Sequence, residues 1–134
     1  MESRRNFVTK LAVGMAATGI LSSPKQVIAG ESSIENTFVH HVFFWLKEPQ
    51  NPEACQQFER GIQDLIKVPQ IQKTHIGKPV QSPREVVDDS FTYSYMAFFK
   101  SKEDQDIYQT HPIHLKFIED CQHLWSKVIV YDAM

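Results

Sequence analysis

The sequence predicts an α+β domain in the order β-α-β-β-α-β, with a four-stranded antiparallel sheet and its helices on one face. Three observations lead there. Thr37–Lys47 (TFVHHVFFWLK) is dense in β-branched and aromatic residues, and its alternate positions are apolar on both sides. Two later stretches repeat apolar residues every three or four positions, the period of a helix with one buried stripe. Phe91–Lys100 (FTYSYMAFFK) and Ser126–Asp132 (SKVIVYD) are again short, bulky and strand-like.

The elements follow in chain order. In the first strand Phe38, His40, Val42, Phe44 and Leu46 share one face, and Val39, His41, Phe43 and Trp45 the other. A sheet with one wet face would alternate apolar with charged residues, and this strand does not. Pro49–Pro52 ends it. Asn51-Pro52 supplies a helix cap followed by proline at the first helical position. Cys55, Phe58, Ile62, Leu65 and Ile66 then form the stripe of a helix that stops near Val68-Pro69. Ile71–Val80 is a weaker strand whose Gly77 and Pro79 suit an edge. Gln81–Ser90 is a charged loop before the Phe91–Lys100 strand. Ser101-Lys102-Glu103-Asp104 resembles a capping box and opens a short helix to about Thr110. His111-Pro112 restarts the chain, and Ile113, Phe117, Ile118 and Cys121 stripe the next helix. Ser126–Asp132 closes the sheet. This order is the ferredoxin-like arrangement. Its helices cover one side only, so the apolar residues of the other side ask for a second copy of the sheet, in a symmetric homodimer.

The 134 residues are 42% hydrophobic and 22% charged, which suits one packed domain and excludes disorder. With 14 Lys+Arg against 16 Asp+Glu, the chain lacks the basic excess that a nucleic-acid partner requires. No apolar run reaches the roughly 18 residues of a membrane-spanning helix. The first 29 residues differ from the rest. Arg4, Arg5 and Lys10 precede the short apolar Leu11–Leu21, and a polar stretch ends at Val27-Ile28-Ala29. That is the order of an export signal, and Ser3-Arg4-Arg5-Asn6-Phe7-Val8 resembles the twin-arginine class. Cleavage is expected after Ala29, leaving a domain over 30–134 in the periplasm or otherwise exported, without a membrane anchor. The cut removes four of the 14 basic residues and one of the 16 acidic ones, so 10 and 15 remain.

Tyr108-x-x-His111-Pro112-x-His114 is the most specific motif of the mature chain. It lies between an opening H-V-F-F-W-L-K that begins at His41, a strand ending F-F-K-S, and a final V-I-V-Y-D. Together these make Ser33–Met134 resemble the stress-responsive α/β-barrel family, called Dabb. The resemblance implies a dimeric α+β barrel and functions that range from plant stress and defence to polyketide cyclisation. In the cyclases the catalytic pair is a tyrosine and the second histidine of this motif, which fall on Tyr108 and His114. A pocket histidine early in the cyclases' third strand falls on Tyr93, a departure from their pattern.

The chemistry of these residues is proton transfer. A neutral imidazole at His114 can take a proton from a carbon acid or a phenol near about pH 7, the Tyr108 hydroxyl can orient a carbonyl oxygen, and His41 adds a further polar group. His111, Tyr93 and Phe43 are the candidate ligand contacts, for a small apolar or aromatic compound. Each residue also has a structural reading: His111 as a cap before Pro112, His114 bonded to backbone, Tyr108 as core. His40 and His41 point to opposite faces and cannot chelate together, and His111 and His114 lack a third ligand. No C-x-x-C-H haem attachment exists. The expected chemistry therefore uses neither metal nor other cofactor, although export of a folded chain also suits a cofactor-bound protein. His75 and His123 stand alone. Cys55 and Cys121 fall at apolar helix positions that suit buried thiols, while an oxidising compartment permits a bridge. Two readings of function follow: a cofactor-free enzyme acting on a carbonyl compound through His114, Tyr108 and His41, or a non-catalytic dimer binding a ligand or a protein under stress.

Overall fold

The computed structural model describes residues 36–134. The expected export segment with Arg4 and Arg5, its cleavage site and the first residues of the 30–134 domain lie outside them. The elements are β1 (Phe38–Leu46), α1 (Pro52–Leu65), β2 (Lys73–Gly77), β3 (Tyr93–Phe99), α2 (Lys102–Thr110), α3 (Pro112–Cys121), a 3-10 turn (Gln122–Leu124) and β4 (Trp125–Ala133). All pairings are antiparallel and the sheet runs β2-β3-β1-β4. The predicted α+β, ferredoxin-like order is the observed one. Among the described residues no helix is long and apolar enough to cross a membrane.

Local chemistry sets the boundaries. The Asn51 side chain accepts from Glu53 N at 3.0 Å, with Pro52 in the first turn, where its missing N–H costs no bond. Ser101 Oγ accepts from Asp104 N at 3.2 Å and starts α2. The second strand is shorter than Ile71–Val80. It stops at Gly77 because Pro79 has no N–H to give a ladder, and it forms an edge as expected. Regular pairing of β3 begins at Tyr93 rather than Phe91. There Thr92 N donates to the Phe44 carbonyl at 2.7 Å and Leu46 N donates to Thr92 Oγ1 at 3.0 Å.

The strand periodicity sorts the sheet into two faces. Phe38, His40, Val42, Phe44 and Leu46 of β1 are all buried, together with Tyr93, Tyr95, Ala97 and Phe99 of β3. Phe58, Ile62 and Leu65 of α1 and Phe117 of α3 close over them. The intervening residues Val39, His41, Phe43 and Trp45 are only half-buried, so the second face is apolar, and among the described residues no helix covers it.

Helices α1 and α3 approach closely at Gly61. A Cβ there would stand 2.5 Å from Cys121 Sγ and 3.2 Å from the Phe117 ring. Cys121 is thus buried in a crossing built around a hydrogen atom. Cys55 lies in the first turns of the same helix, its Sγ donating to the Pro49 carbonyl at 3.4 Å. Six residues of helix, about 9 Å of rise, separate it from the crossing, and both thiols are free. Gly61→Ala should lower stability by about 1–3 kcal/mol through overpacking, despite alanine's better helix propensity. The urea midpoint measures this, and an unchanged midpoint would mean that the crossing has slack.

Candidate functional site

A cavity of about 210 Å³ lies between the sheet and helices α2 and α3. His40, Val42, Tyr95, Tyr108, His114 and Phe117 line its interior. Val128 and Val130 of β4, 42% and 45% exposed, form its rim. The lining is apolar apart from two imidazoles, two phenols, the Trp125 indole N–H and Gln109.

The break at His111-Pro112 builds the site. His111 has extended backbone (φ −64°, ψ 139°), and it is at once the last residue after α2 and the N-cap of α3. Its Nδ1 accepts from Ile113 N at 3.1 Å. Pro112 cannot continue α2, so the chain turns and starts again. His114 then sits in the first turn of α3, facing the sheet, with its ring centroid 4.7 Å from that of Tyr108. Helical spacing alone would not bring those two residues together, and the turn does.

From the sheet side His40 enters the same cavity, 5.7 Å from the Tyr108 ring. Its Nδ1–H donates to Asp132 Oδ1 at 2.6 Å, across the β1–β4 register that pairs the two residues. A carboxylate on Nδ1 fixes the imidazole orientation and leaves the other ring nitrogen to the cavity. Tyr108 Oη donates weakly to Tyr95 Oη at 3.5 Å. His114 Nδ1 is buried and has no hydrogen-bond partner among the described residues.

Burial shifts the protons of these groups. It pushes the His114 imidazole below its ordinary value, an effect partly offset by the Gln109 carbonyl and reinforced by the nearby His40. His114 is therefore neutral at neutral pH, with a free lone pair. Burial, then Tyr95, raises the Tyr108 phenol well above the ordinary tyrosine range. Tyr95 is pushed up to about 12 by burial, against a lowering contribution from the Tyr108 hydrogen bond. Both phenols remain protonated donors.

Four sequence-predicted residues lie elsewhere. His41 is on the opposite face of the sheet because strand side chains alternate. There its Nε2 bonds Ser94 Oγ at 2.8 Å, and its ring lies 4.2 Å from Phe43. Phe43 shares that face, against Phe91 and Tyr131. His111 spends its ring nitrogen on capping α3. Tyr93 faces the helices but at the far end of the sheet, stacked on Phe58 at 4.7 Å, its hydroxyl donating to Glu59 Oε1 at 2.7 Å. Burial and that carboxylate raise its phenol above the usual range. Tyr108 and His114 do meet. His40, Asp132 and Tyr95 join them, and none of these three was singled out by the motif. His40 carried a signal, as the one titratable residue on the core face of β1. Asp132 carried none until β4 is paired with β1. No three histidine, cysteine or carboxylate side chains among the described residues converge as a metal-binding set.

The family model for the Dabb stress responsive A/B barrel domain matches residues 38–134. The chain belongs to this family. Among solved structures, the Dabb chain is similar to a protein from Arabidopsis thaliana at 26% identity and a TM-score of 0.62, over 72% of this chain and 93% of that one. A hydroxynitrile lyase from Passiflora edulis is similar at 21% identity and a TM-score of 0.63, over 73% and 92%. A dimeric ferredoxin-like protein from Thermobifida fusca matches at 14% and 0.58, over 72% and 89%. Among curated proteins none matches the chain.

The His114 shift carries a sign. In the unfolded chain its imidazole takes a proton as pH falls through its ordinary value of 6.5, whereas in the folded chain it resists until lower pH. Stability is therefore unpenalised above 6.5 and declines below it. His41, also lowered by burial, acts in the same direction. Urea unfolding at a series of pH values should show that acid loss, and His114→Gln should shrink it.

Proposed function

We propose that this Dabb protein is a cofactor-free enzyme that moves a proton on a small carbonyl compound held in the His40/Tyr108/His114 cavity. The buried, unpartnered Nδ1 of His114 carries the reading. A polar atom in that state costs about 1–3 kcal/mol unless something occupies it, and a neutral imidazole at the end of an apolar cavity is a ready general base. Tyr108 and Tyr95, which keep their protons, offer donors to a carbonyl or nascent enolate oxygen. His114 returns the proton it has taken, and His40, held by Asp132 through Nδ1, turns its other ring nitrogen to the same cavity as a further polar contact for the compound. A cavity of about 210 Å³ suits a single aromatic ring or a short acyl group. The hydroxynitrile lyase likeness supports carbonyl chemistry in this fold. The departure at Tyr93 carries less weight against a cyclase-like reaction, since Tyr93 does not line the cavity.

Deuterium exchange tests the reading without a known substrate. Small aromatic ketones and aldehydes bearing an enolisable position are screened for binding by ligand-observed NMR, and the binders are incubated with the protein in D₂O. Wild type should accelerate deuterium incorporation, His114→Ala should lose roughly 10²–10⁴-fold of that rate, and Tyr108→Phe less. Binding without exchange would favour the second reading, a non-catalytic ligand-binding dimer.

The remaining parts of the proposal concern assembly and location. The apolar sheet face that no described element covers, together with the dimeric relative from Thermobifida fusca, supports a homodimer joined sheet to sheet. The Arg4-Arg5 segment supports export and processing to Gly30. N-terminal sequencing of periplasmic protein should read Gly-Glu-Ser, and replacing both arginines with lysine should retain the precursor in the cytoplasm. Efficient export of the Lys-Lys form would remove the twin-arginine assignment.

A further inference from the structure

The sheet face that no described helix covers carries titratable groups that the proposed chemistry does not use. In register, Met96 of β3 has His41 of β1 on one side and His75 of β2 on the other, and Tyr131 of β4 pairs with His41. One row across the sheet is therefore His75–Met96–His41–Tyr131. The His75 ring leans over Gly77, where a Cβ would stand 3.0 Å from its Cε1, and Gly77 is opposite Ser94, the hydrogen-bond partner of His41. Two imidazoles thus flank one serine and one methionine at the middle of an apolar face.

The charged groups on this face have one sign. Lys73 lies 6.0 Å from the Phe98 ring and Lys127 lies 4.4 Å over Trp45. Among the described strand residues that share the face, none is a carboxylate. Asp132 is on the other face, bonded to His40. Asp88, on the adjoining loop, accepts from Ser90 N at 2.9 Å and lies toward Lys127.

We propose that this face is an interface with a second copy of the chain that opens on mild acidification, through His41 and His75. The inference rests on the sheet-to-sheet dimer proposed above. Pairing two such faces removes the histidine rows from water with no carboxylate to receive their protons, so the paired state holds neutral imidazoles. Protonation would place up to four charges at the centre of an apolar interface already edged by lysines, and a buried unpaired charge is among the costliest groups to hold. Burial already lowers His41 within one chain, with His75 and then His40 adding to it, and a covering partner deepens that desolvation. Protons therefore bind the separated chains better than the dimer, and acid shifts the equilibrium toward separation.

Sedimentation equilibrium of the full chain at about pH 8 and about pH 5, on either side of the histidine range, tests this. The expected result is a dimer at the higher pH whose Kd rises at least about a hundredfold at the lower, since each of the four imidazoles that the interface keeps neutral adds up to about tenfold per pH unit and two of them suffice for that bound. Far-UV circular dichroism should be unchanged between the two. The double variant His41→Gln and His75→Gln keeps polar side chains without the titration, and its Kd should lose that dependence. Should the double variant fail to dimerise at the higher pH, His75→Gln alone, at an exposed position, should retain the dimer and lose part of the dependence. A wild type that stays equally dimeric at both pH values, a double variant that separates in acid as wild type does, or loss of the dichroism signal would each overturn the proposal. A wild-type monomer at the higher pH would instead overturn the dimer itself.

Discussion

β1 lies between β3 and β4, so each of its side chains is committed to one of two environments by the two-residue period of the backbone. His40 and His41 are neighbours in sequence, yet one enters the cavity beneath the helices and the other stands on the second, apolar face. The ladder bonds on both sides of β1 hold that assignment, and a slip of one residue would exchange every partner at once. The imidazole bonded to Asp132, the phenol pair and the rows of the second face all take their positions from this register.

The second requirement is the interruption at His111-Pro112. A continuous helix would have kept Tyr108 and His114 apart by helical geometry, since six residues do not share a face. Proline forces a restart, histidine caps it, and the new first turn returns His114 toward Tyr108. The same two residues end one helix and begin another.

Much of the fold was legible because it is local. The alternation in Thr37–Lys47, the Asn51-Pro52 and Ser101 caps, and the 3–4 stripes of α1 and α3 each state an element and its buried face. The Tyr108–His114 pair was legible from the motif, and that His40 and His41 face opposite ways was legible from alternation. Which of the two faces the cavity was not, because both faces of β1 are apolar and only the helices' side decides it. Asp132 was hidden because its role depends on a pairing between residues far apart in sequence. Tyr93 misled for a related reason: a strand facing the helices runs under more than one of them, and its two ends belong to different neighbourhoods.

Asp132 belongs to the next-to-last registered pair of an edge strand, with Val39–Ala133 the only pair beyond it. Edge-strand ends are where local opening costs least free energy. Fraying of two residues there withdraws the carboxylate from His40 while the core cluster of Phe58, Tyr95, Phe99 and Phe117 stays intact. The orientation of one cavity imidazole is thus set by a local equilibrium at the margin of the sheet, far below the free energy of global unfolding. A change that stiffens or loosens the last residues of β4 can therefore retune the cavity without touching any residue that lines it.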